Sequence, residues 1–255
     1  MSGTTETTDT ATDTAMTTSG GPTRIGRRRV LAVLAGTALL PVTGCGSDSG
    51  PRAAGPSDPP PDGRSGPDAT IMIIRHGEKP RGGTRGMDEN GEPDKKSLTQ
   101  RGWERARALP KLFAPAAGIS GTDASGRTAL PRPSTLFAAA DYGPNAGSRR
   151  MRQTVTPLAE ELKLPVNTSF SETEEAKLAG AALISPQPVL ICWEHSRIAD
   201  IVKALGAAKA PGVPKSWPDR FDLVWVLTRH GGTWSFRSVP QHLLDGDAAA
   251  TRPSR

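Results

Sequence analysis

Cysteine and aromatic residues are scarce in this 255-residue chain, and each shortage excludes a class of protein. The two cysteines, Cys45 and Cys192, lie far apart, so the chain has neither a disulfide framework nor the closely spaced thiols of a zinc site. Aromatic side chains are 4% of the residues, and no basic run is interleaved with them, which argues against nucleic-acid binding. The most apolar stretch, residues 30–40, is much shorter than the roughly 20 residues that a membrane-spanning helix needs.

That apolar stretch follows three arginines, Arg27–Arg29, and precedes Val42–Cys45. A basic segment before a short apolar core is typical of an export signal. The arginines resemble a twin-arginine signal, and Val42–Cys45 resembles a bacterial lipobox, in which the cysteine is acylated and becomes the mature N-terminus. Mostly small and polar residues precede the arginines, which predicts disorder, and Met16 is an alternative translation start to Met1.

Composition divides the chain into four segments. We predict a disordered N-terminus with a lipoprotein signal over residues 1–45, a linker over 46–67, one α/β domain over 68–244 and a disordered tail over 245–255. In the linker, 11 of 22 residues are Gly or Pro, so it is a flexible to semi-extended tether. The formal net charge of the whole chain is +6, a modest basic excess that suits anionic substrates or lipids.

One strand of the predicted domain ends in chemically active residues. Ile71–Ile74 is an apolar run bounded by turn-forming residues, as in a strand buried on both faces, and Arg75, His76 and Gly77 follow it directly. Ligands of open α/β sheets bind beyond the carboxyl ends of the strands. There an arginine offers a forked anion donor, a histidine offers a nucleophilic nitrogen, and a glycine lets the backbone approach the ligand.

Strand and helix patterns alternate along the domain. We expect strands over residues 71–74, 135–139, 166–170, 189–193, 221–228 and 233–239, and helices over 97–113, 148–163, 174–184 and 196–208. Ser97 is the expected N-cap of the first helix. The alternation predicts a single α/β domain with a mostly parallel central sheet flanked by helices on both faces.

The string from Arg75 to Glu78, RHGE, after an apolar strand resembles the signature of the histidine phosphatase superfamily, the phosphoglycerate mutase-like enzymes. The resemblance covers most of the predicted domain and implies the phosphoglycerate mutase-like fold. It also implies that His76 is a covalent nucleophile and that Arg75 binds phosphate. Glu78 and Lys79, next to the nucleophile, are expected to contact substrate.

Two further features fit this resemblance. In the family, an arginine followed four residues later by a threonine points into the phosphate pocket from a helix start, which is itself a natural phosphate site. Arg150 with Thr154 has this spacing, and Arg152 is the fallback. The family's second histidine follows a strand and contacts the transferring phosphoryl group. His195, which follows the strand over residues 189–193, has this place, and we expect it to be protonated.

The proton donor is the least determined member of the set. One branch of the superfamily places an acid directly after the second histidine, where this chain has Ser196. The other branch uses a glutamate some two dozen residues past the pocket arginine. Glu172, Glu174 and Glu175 all lie in that region, and we favour Glu172 because it follows the predicted strand most closely.

Together these residues predict a phosphatase that hydrolyses phosphate monoesters through a phosphohistidine on His76. No cofactor or metal is expected, because arginines and a histidine can balance the phosphate charge. The substrate would be a phosphorylated small molecule or a phosphoprotein. The protein would be exported and held by lipid on Cys45 at the outer face of the cytoplasmic membrane. The alternative is a non-catalytic lipoprotein that binds phosphorylated ligands with the same pocket.

Lipidation of Cys45 is a first testable prediction. The mature protein is expected to begin at Cys45 and to carry acyl chains, because this residue ends the lipobox-like segment. Mass spectrometry of protein extracted from bacterial membranes should find the lipidated N-terminus, and Cys45→Ala should leave the chain unprocessed. An unmodified mature chain that begins before Cys45 would contradict the prediction.

Overall fold

The computed structural model describes residues 66–115, 129–143 and 146–247. Its strands are β1 (Ala69–Arg75), β2 (Thr135–Ala139), β3 (Val166–Phe170), β4 (Val189–Trp193), β5 (Leu223–His230) and β6 (Thr233–Pro240). Its helices are α1 (Gln100–Ala108), α2 (Pro110–Phe113), α3 (Arg150–Leu162), α4 (Glu175–Ile184) and α5 (Ile198–Ala204). The predicted signal over residues 1–45, most of the linker and residues 248–255 lie outside the described residues.

The six strands form one sheet in the order β3-β2-β4-β1-β5-β6. Strands β1 to β4 run parallel, whereas β5 is antiparallel to β1 and β6 is antiparallel to β5. The prediction of an α/β domain with a mostly parallel sheet is confirmed. In the central pair, Arg75 at the end of β1 is in register with Trp193 at the end of β4. The residues that follow these two strands therefore meet at one edge of the sheet.

The two central parallel strands are apolar along most of their length because both of their faces are covered. Ile71–Ile74 and Val189–Trp193 are buried, and each fully buried Val, Leu or Ile side chain stabilises the fold by about 1.5–3 kcal/mol. The helices form two groups, since α1, α2 and α3 pack against one another and α4 packs against α5. None of the helices in the described ranges is both long and apolar enough to cross a membrane.

Helix α1 begins later than its sequence pattern predicts. Thr99, not Ser97, is the N-cap, and its Oγ1 accepts a hydrogen bond from the N–H of Gly102 at 3.2 Å. The Ser97 hydroxyl is already used, because it donates to Asp94 at 2.6 Å and accepts from Gln153 at 2.8 Å. The prediction of a Ser97 cap is wrong because these tertiary contacts take its hydroxyl away from the helix.

The folded domain also extends past the predicted boundary at Leu244. The Asp247 side chain is buried and accepts hydrogen bonds from Arg105 at 2.7 and 3.0 Å. It accepts two more from the backbone N–H groups of Leu243 and Leu244. Residues 245–247 therefore belong to the domain and not to the predicted disordered tail.

Helix α1 lies so close to the loop after β1 that a glycine is required at the contact. A Cβ at Gly102 would lie 2.6 Å from the carbonyl oxygen of Glu78, whereas a Cβ at Gly180 in α4 would meet nothing within 4 Å. Real Cβ atoms essentially never lie within 3.0 Å of a heavy atom to which they are not bonded. Packing at this point therefore opposes the usual preference of a helix for alanine over glycine.

We expect Gly102→Ala to destabilise the protein by about 1–3 kcal/mol, because the clash with backbone outweighs the gain in helix propensity. The matched control, Gly180→Ala, should stabilise the protein by up to about 1 kcal/mol. Urea unfolding of both variants measures the difference. Equal gains in the free energy of unfolding for the two variants would contradict this packing.

Candidate active site

The site lies where β1 and β4 end side by side. The backbone N–H of His76 donates to the carbonyl oxygen of Trp193 at 3.3 Å, so His76 leaves the sheet directly next to β4. His195 opens a short 3₁₀ turn after that strand. The potential ligand atoms of His76, Glu194 and His195 lie within 4.8 Å of one another. The parallel pairing thus brings together two histidines that are 119 positions apart in the sequence.

The imidazole of His76 is held in one tautomer. Its Nδ1 lies 2.7 Å from the carbonyl oxygen of Gly77, which can only accept, so Nδ1 carries the hydrogen and Nε2 has a free lone pair. The pKa of His76 is lowered to about 3, mainly by burial, and the positive charges of Arg75, Arg150 and Lys79 act in the same direction. A neutral imidazole with a free Nε2 is the form that a nucleophile requires.

Arg75 presents unpaired donors at the same place. Its side chain is fully buried, with Nη1 donating to Asp219 at 3.1 Å and the ring of Phe221 lying 3.9 Å from the guanidinium carbon. Nε and Nη2 are buried and have no hydrogen-bond partner among the described residues. An unsatisfied buried donor costs about 1–3 kcal/mol. A bound anion that accepted from these two groups would remove this cost.

Of the two arginines considered at the start of α3, the structure places Arg150 near the pocket. The charge of Arg150 contributes to the low pKa of His76. Arg152 is engaged elsewhere, because its Nε pairs with Asp141 at 2.5 Å and its Nη2 pairs with Glu89 at 2.9 Å. The fallback role of Arg152 in phosphate binding is therefore not supported.

Thr154, the spacing partner of Arg150, connects α3 to the loop that follows β1. Its Oγ1 accepts from the backbone N–H of Gly77 at 2.8 Å and donates to the carbonyl oxygen of Arg150 at 2.6 Å. The hydroxyl is thus occupied, and Thr154 joins α3 to the loop that carries His76. These two hydrogen bonds hold the loop that carries His76 against α3.

Glu172 has the electrostatic properties of a proton donor. Burial raises the pKa of its carboxyl group, and the nearby negative charge of Glu194 raises it further. Its carboxylate packs against Gly147, just before α3, where an added Cβ would force the carboxylate to move. The charge of Arg150 acts on Glu172 as well, so this carboxyl lies within electrostatic reach of the same cation as His76.

The other two glutamates of the region are held in local contacts. The hydrogen bond with Lys177 is the largest influence that lowers the pKa of Glu174 to about 2, and Ser171 adds to it. Glu175 is buried and pairs with Arg197 at 3.0 Å. Neither carboxylate is free to carry a proton to a leaving group, which favours Glu172.

Glu194 belongs to the site, although our sequence analysis gave it no role. Its Oε1 lies 2.5 Å from Nδ1 of His195, and its Oε2 accepts from the N–H of Ser196 at 2.7 Å. Hydrogen bonds with Ser196 lower the pKa of Glu194 although burial opposes them. Its position in the sequence could have indicated this role, because Glu194 is the acidic residue between a buried strand and a histidine.

The expectation of a protonated His195 does not hold for the free site. Burial lowers the pKa of His195, and the charge of Arg75 lowers it further, against the opposing effect of Glu194. The imidazole is therefore neutral near pH 7 before a ligand binds. A bound phosphate dianion would favour the protonated form, because an opposite charge nearby stabilises it.

The two residues after Gly77 point to different places. The Glu78 carboxylate accepts from Arg105 at 2.8 Å and pairs with Arg101 at 3.3 Å, so it faces α1. These contacts with cations of α1 give no support to the prediction that Glu78 contacts substrate. The charge of Lys79 lowers the pKa values of both His76 and His195, which is consistent with a place beside the pocket.

The distances between His76, Glu194 and His195 would by themselves allow these residues to share a metal ion after small side-chain movements. The surrounding charge opposes this. Three cations, Arg75, Arg150 and Lys79, act on His76, and each would repel a dication. The same charges attract an anion, so a phosphate group is the ligand that the site fits better.

Neither a protein-family model nor a curated protein matches this sequence. Among solved structures, a mycobacterial glucosyl-3-phosphoglycerate phosphatase is 14% identical with a TM-score of 0.39, covering 68% of this chain and 98% of its own. An α-ribazole-5′-phosphate phosphatase from Escherichia coli is 14% identical with a TM-score of 0.41, covering 68% and 96%. A phosphoserine phosphatase from Entamoeba histolytica is 11% identical with a TM-score of 0.38, covering 69% and 100%.

All three structural neighbours are named as phosphatases. Their TM-scores all lie below 0.5, so the likeness is a loose one and carries no argument about this chain.

The low pKa of His76 predicts a pH dependence of stability. Between about pH 3 and 6.5 the unfolded chain binds a proton on this residue that the folded protein does not bind. The free energy of unfolding should therefore fall as the pH falls through this range, by up to about 1.4 kcal/mol per pH unit from this one group.

Urea unfolding at pH 7.5 and pH 4.5 measures this effect, with His76→Gln as the comparison. The variant should lose less stability than the wild type over the same interval, because it has no imidazole to protonate. NMR of the wild type should show that His76 stays neutral down to about pH 4. Titration of His76 near its ordinary value of 6.5 would contradict the prediction.

Proposed function

We propose that this chain is a metal-independent phosphatase that hydrolyses phosphate monoesters through a phosphohistidine on His76. The observation that carries the proposal is a buried neutral imidazole with a free Nε2, on the strand end that also holds two unpaired N–H groups of Arg75. Nucleophile and anion donors thus follow one another in the chain and share one pocket.

In the first step, the phosphoryl oxygens accept hydrogen bonds from Nε and Nη2 of Arg75, and the charge of Arg150 offsets their negative charge. His76 Nε2 attacks phosphorus, a P–N bond forms, and the bond to the ester oxygen breaks. Glu172 gives its proton to the departing alkoxide, in keeping with its raised pKa. Fixed donors of this kind stabilise the transition state without reorganisation.

In the second step, water attacks the phosphohistidine. The Glu172 carboxylate, now deprotonated, takes the proton of the attacking water, and the P–N bond breaks to return neutral His76 and inorganic phosphate. His195, protonated in the presence of the phosphate, supports the same oxygens. The acid and base roles of Glu172 alternate, so the carboxyl ends the cycle as it began.

The proposal includes a location and a class of substrate. An exported protein anchored by lipid on Cys45 would meet phosphate esters outside the cytoplasm, as phosphorylated small molecules or phosphoproteins. The support for export is the sequence pattern over residues 27–45.

Turnover of p-nitrophenyl phosphate by residues 46–255, with and without EDTA, tests the activity. We expect turnover that EDTA leaves unchanged and that His76→Ala abolishes. Arg150→Ala should lose about 100- to 1,000-fold in kcat, the scale of one transition-state donor. The matched control Arg152→Ala should stay close to wild type, because this neighbour on α3 faces Asp141 and Glu89.

Rapid quenching with ³²P-labelled substrate should place the acid-labile label on His76. Label on another residue, or turnover restored only by a divalent ion, would contradict the proposal. Binding of phosphate without any turnover would instead support the non-catalytic alternative.

The role of Glu172 predicts a dependence on the leaving group. Glu172→Gln should slow the hydrolysis of alkyl phosphates far more than that of p-nitrophenyl phosphate, because a nitrophenolate leaves without a proton. Glu174→Gln is the matched control and should affect both substrates equally. An equal loss on both substrates for Glu172→Gln would assign the proton to another group.

A further inference from the structure

Arg105 in α1 is a buried cation with no place in the mechanism above. Its guanidinium makes charge-assisted contacts with three partners: Glu78 at 2.8 Å, Asp247 at 2.7 Å and Gln241 at 3.1 Å. The side chain is 3% exposed. These partners come from three separate parts of the chain, so Arg105 joins segments that are remote in sequence.

The first of these segments is the loop that carries the nucleophile. Glu78 lies two residues after His76, and Arg105 holds its carboxylate from both Nε and Nη2. The carbonyl oxygen of the same residue accepts from the N–H of Thr99 at 2.9 Å. The carboxylate of Glu78 is therefore fixed to the last turn of α1 and its carbonyl group to the N-cap of the same helix, which limits the movement of the loop after His76.

The second segment leads to one wall of the site, the ring of Phe221 that lies against Arg75. Gln241 accepts from Arg105 with its Oε1, donates through Nε2 to the carbonyl oxygen of Leu223 at 3.1 Å, and is buried. Leu223 opens β5 and follows closely on Phe221, whose ring covers the guanidinium of Arg75. The position of this wall relative to the nucleophile loop is thus fixed through Arg105.

The third segment is the end of the described chain. Asp247 accepts from two nitrogens of Arg105 and from two backbone N–H groups of its own turn. A buried ion pair of this kind is by itself weak evidence for stability, because desolvation offsets much of the attraction. What the planar fork of an arginine adds is fixed geometry in several directions, which a lysine cannot supply.

We propose that Arg105 is a positioning residue for the active site, which sets the nucleophile loop through Glu78 and the pocket wall through Gln241. This inference rests on the proposed function. A displacement of reacting groups by about 1 Å can reduce turnover about 100-fold even when the change lies away from the chemistry. Arg105 itself does not contact substrate. It acts through Glu78, which lies two residues after His76, and through Gln241, which is bonded to the start of β5.

The experiment compares Arg105→Lys with Arg101→Gln. Both positions are cations of α1 near Glu78 and Asp247, but Arg101 is 44% exposed and its pairs are longer, at 3.3 and 3.6 Å. We expect Arg105→Lys to lower kcat about 10- to 100-fold with little change in KM. Arg101→Gln should stay within about twofold of wild type, since exposed pairs contribute little.

A second measurement does not depend on turnover. In Arg105→Lys the pKa of His76, followed by NMR, should rise from about 3 towards 6.5, because a loosened loop admits water to the imidazole. In Arg101→Gln it should not move. A purely structural role for Arg105 would lower the free energy of unfolding without shifting this pKa in the folded protein.

An unchanged kcat together with an unchanged pKa of His76 in Arg105→Lys would overturn the proposal. If the wild type turns over no phosphate ester, the proposed function fails, and the pKa shift alone still decides whether Arg105 positions the loop. If Arg105→Lys does not fold, Glu78→Gln takes its place. That variant keeps Arg105 and weakens the contact that sets the loop, so it should shift the pKa of His76 in the same direction by a smaller amount, and no shift would overturn the proposal.

Discussion

The pairing of β1 with β4 is the constraint on which the rest of the site depends. It places His76 against the end of a buried strand, where the imidazole is removed from water and its Nδ1 hydrogen is held by the Gly77 carbonyl. Burial lowers the pKa of this histidine more than the surrounding charges do. A surface loop with the same four residues would leave the imidazole hydrated and free to rotate. The fold thus prepares the nucleophile before any substrate arrives.

Two helices, α3 and α1, support the loop that carries His76. Thr154 in α3 fixes the N–H of Gly77, while α1 packs so closely against the loop that Gly102 can have no side chain. The groups that remain available to an anion are the nearby cations and the two N–H groups of Arg75, Nε and Nη2, which have no partner among the described residues. Contacts that stabilise the loop and contacts that would bind an anion are therefore made by different groups, so each can be altered separately.

Sequence patterns predicted most of the regular structure because the inner strands of a parallel sheet are continuous apolar runs between turn-forming residues. The predicted strands over residues 135–139, 166–170 and 189–193 coincide with β2, β3 and β4. Side-chain direction was less predictable. Glu78 was expected in the pocket by its nearness to His76, yet the cations of α1 hold its carboxylate. Ser97 lost its capping role to Thr99 in the same way, because Asp94 and Gln153 engage its hydroxyl.

The sequence by itself determined the alternation of strand and helix, the position of His76 after a buried strand, and the separation of a composition-biased N-terminal segment from the domain. Only the tertiary structure decided which polar groups are free. Arg150 and Arg152 are two residues apart. Arg152 pairs with the carboxylates of Asp141 and Glu89, whereas Arg150 donates to the neutral carbonyl oxygens of Ser97 and Lys95. Glu172 differs from Glu174 and Glu175 by its burial and its neighbours, not by its residue type. Availability for chemistry depends on desolvation and on contacts between segments remote in sequence, and local patterns contain neither.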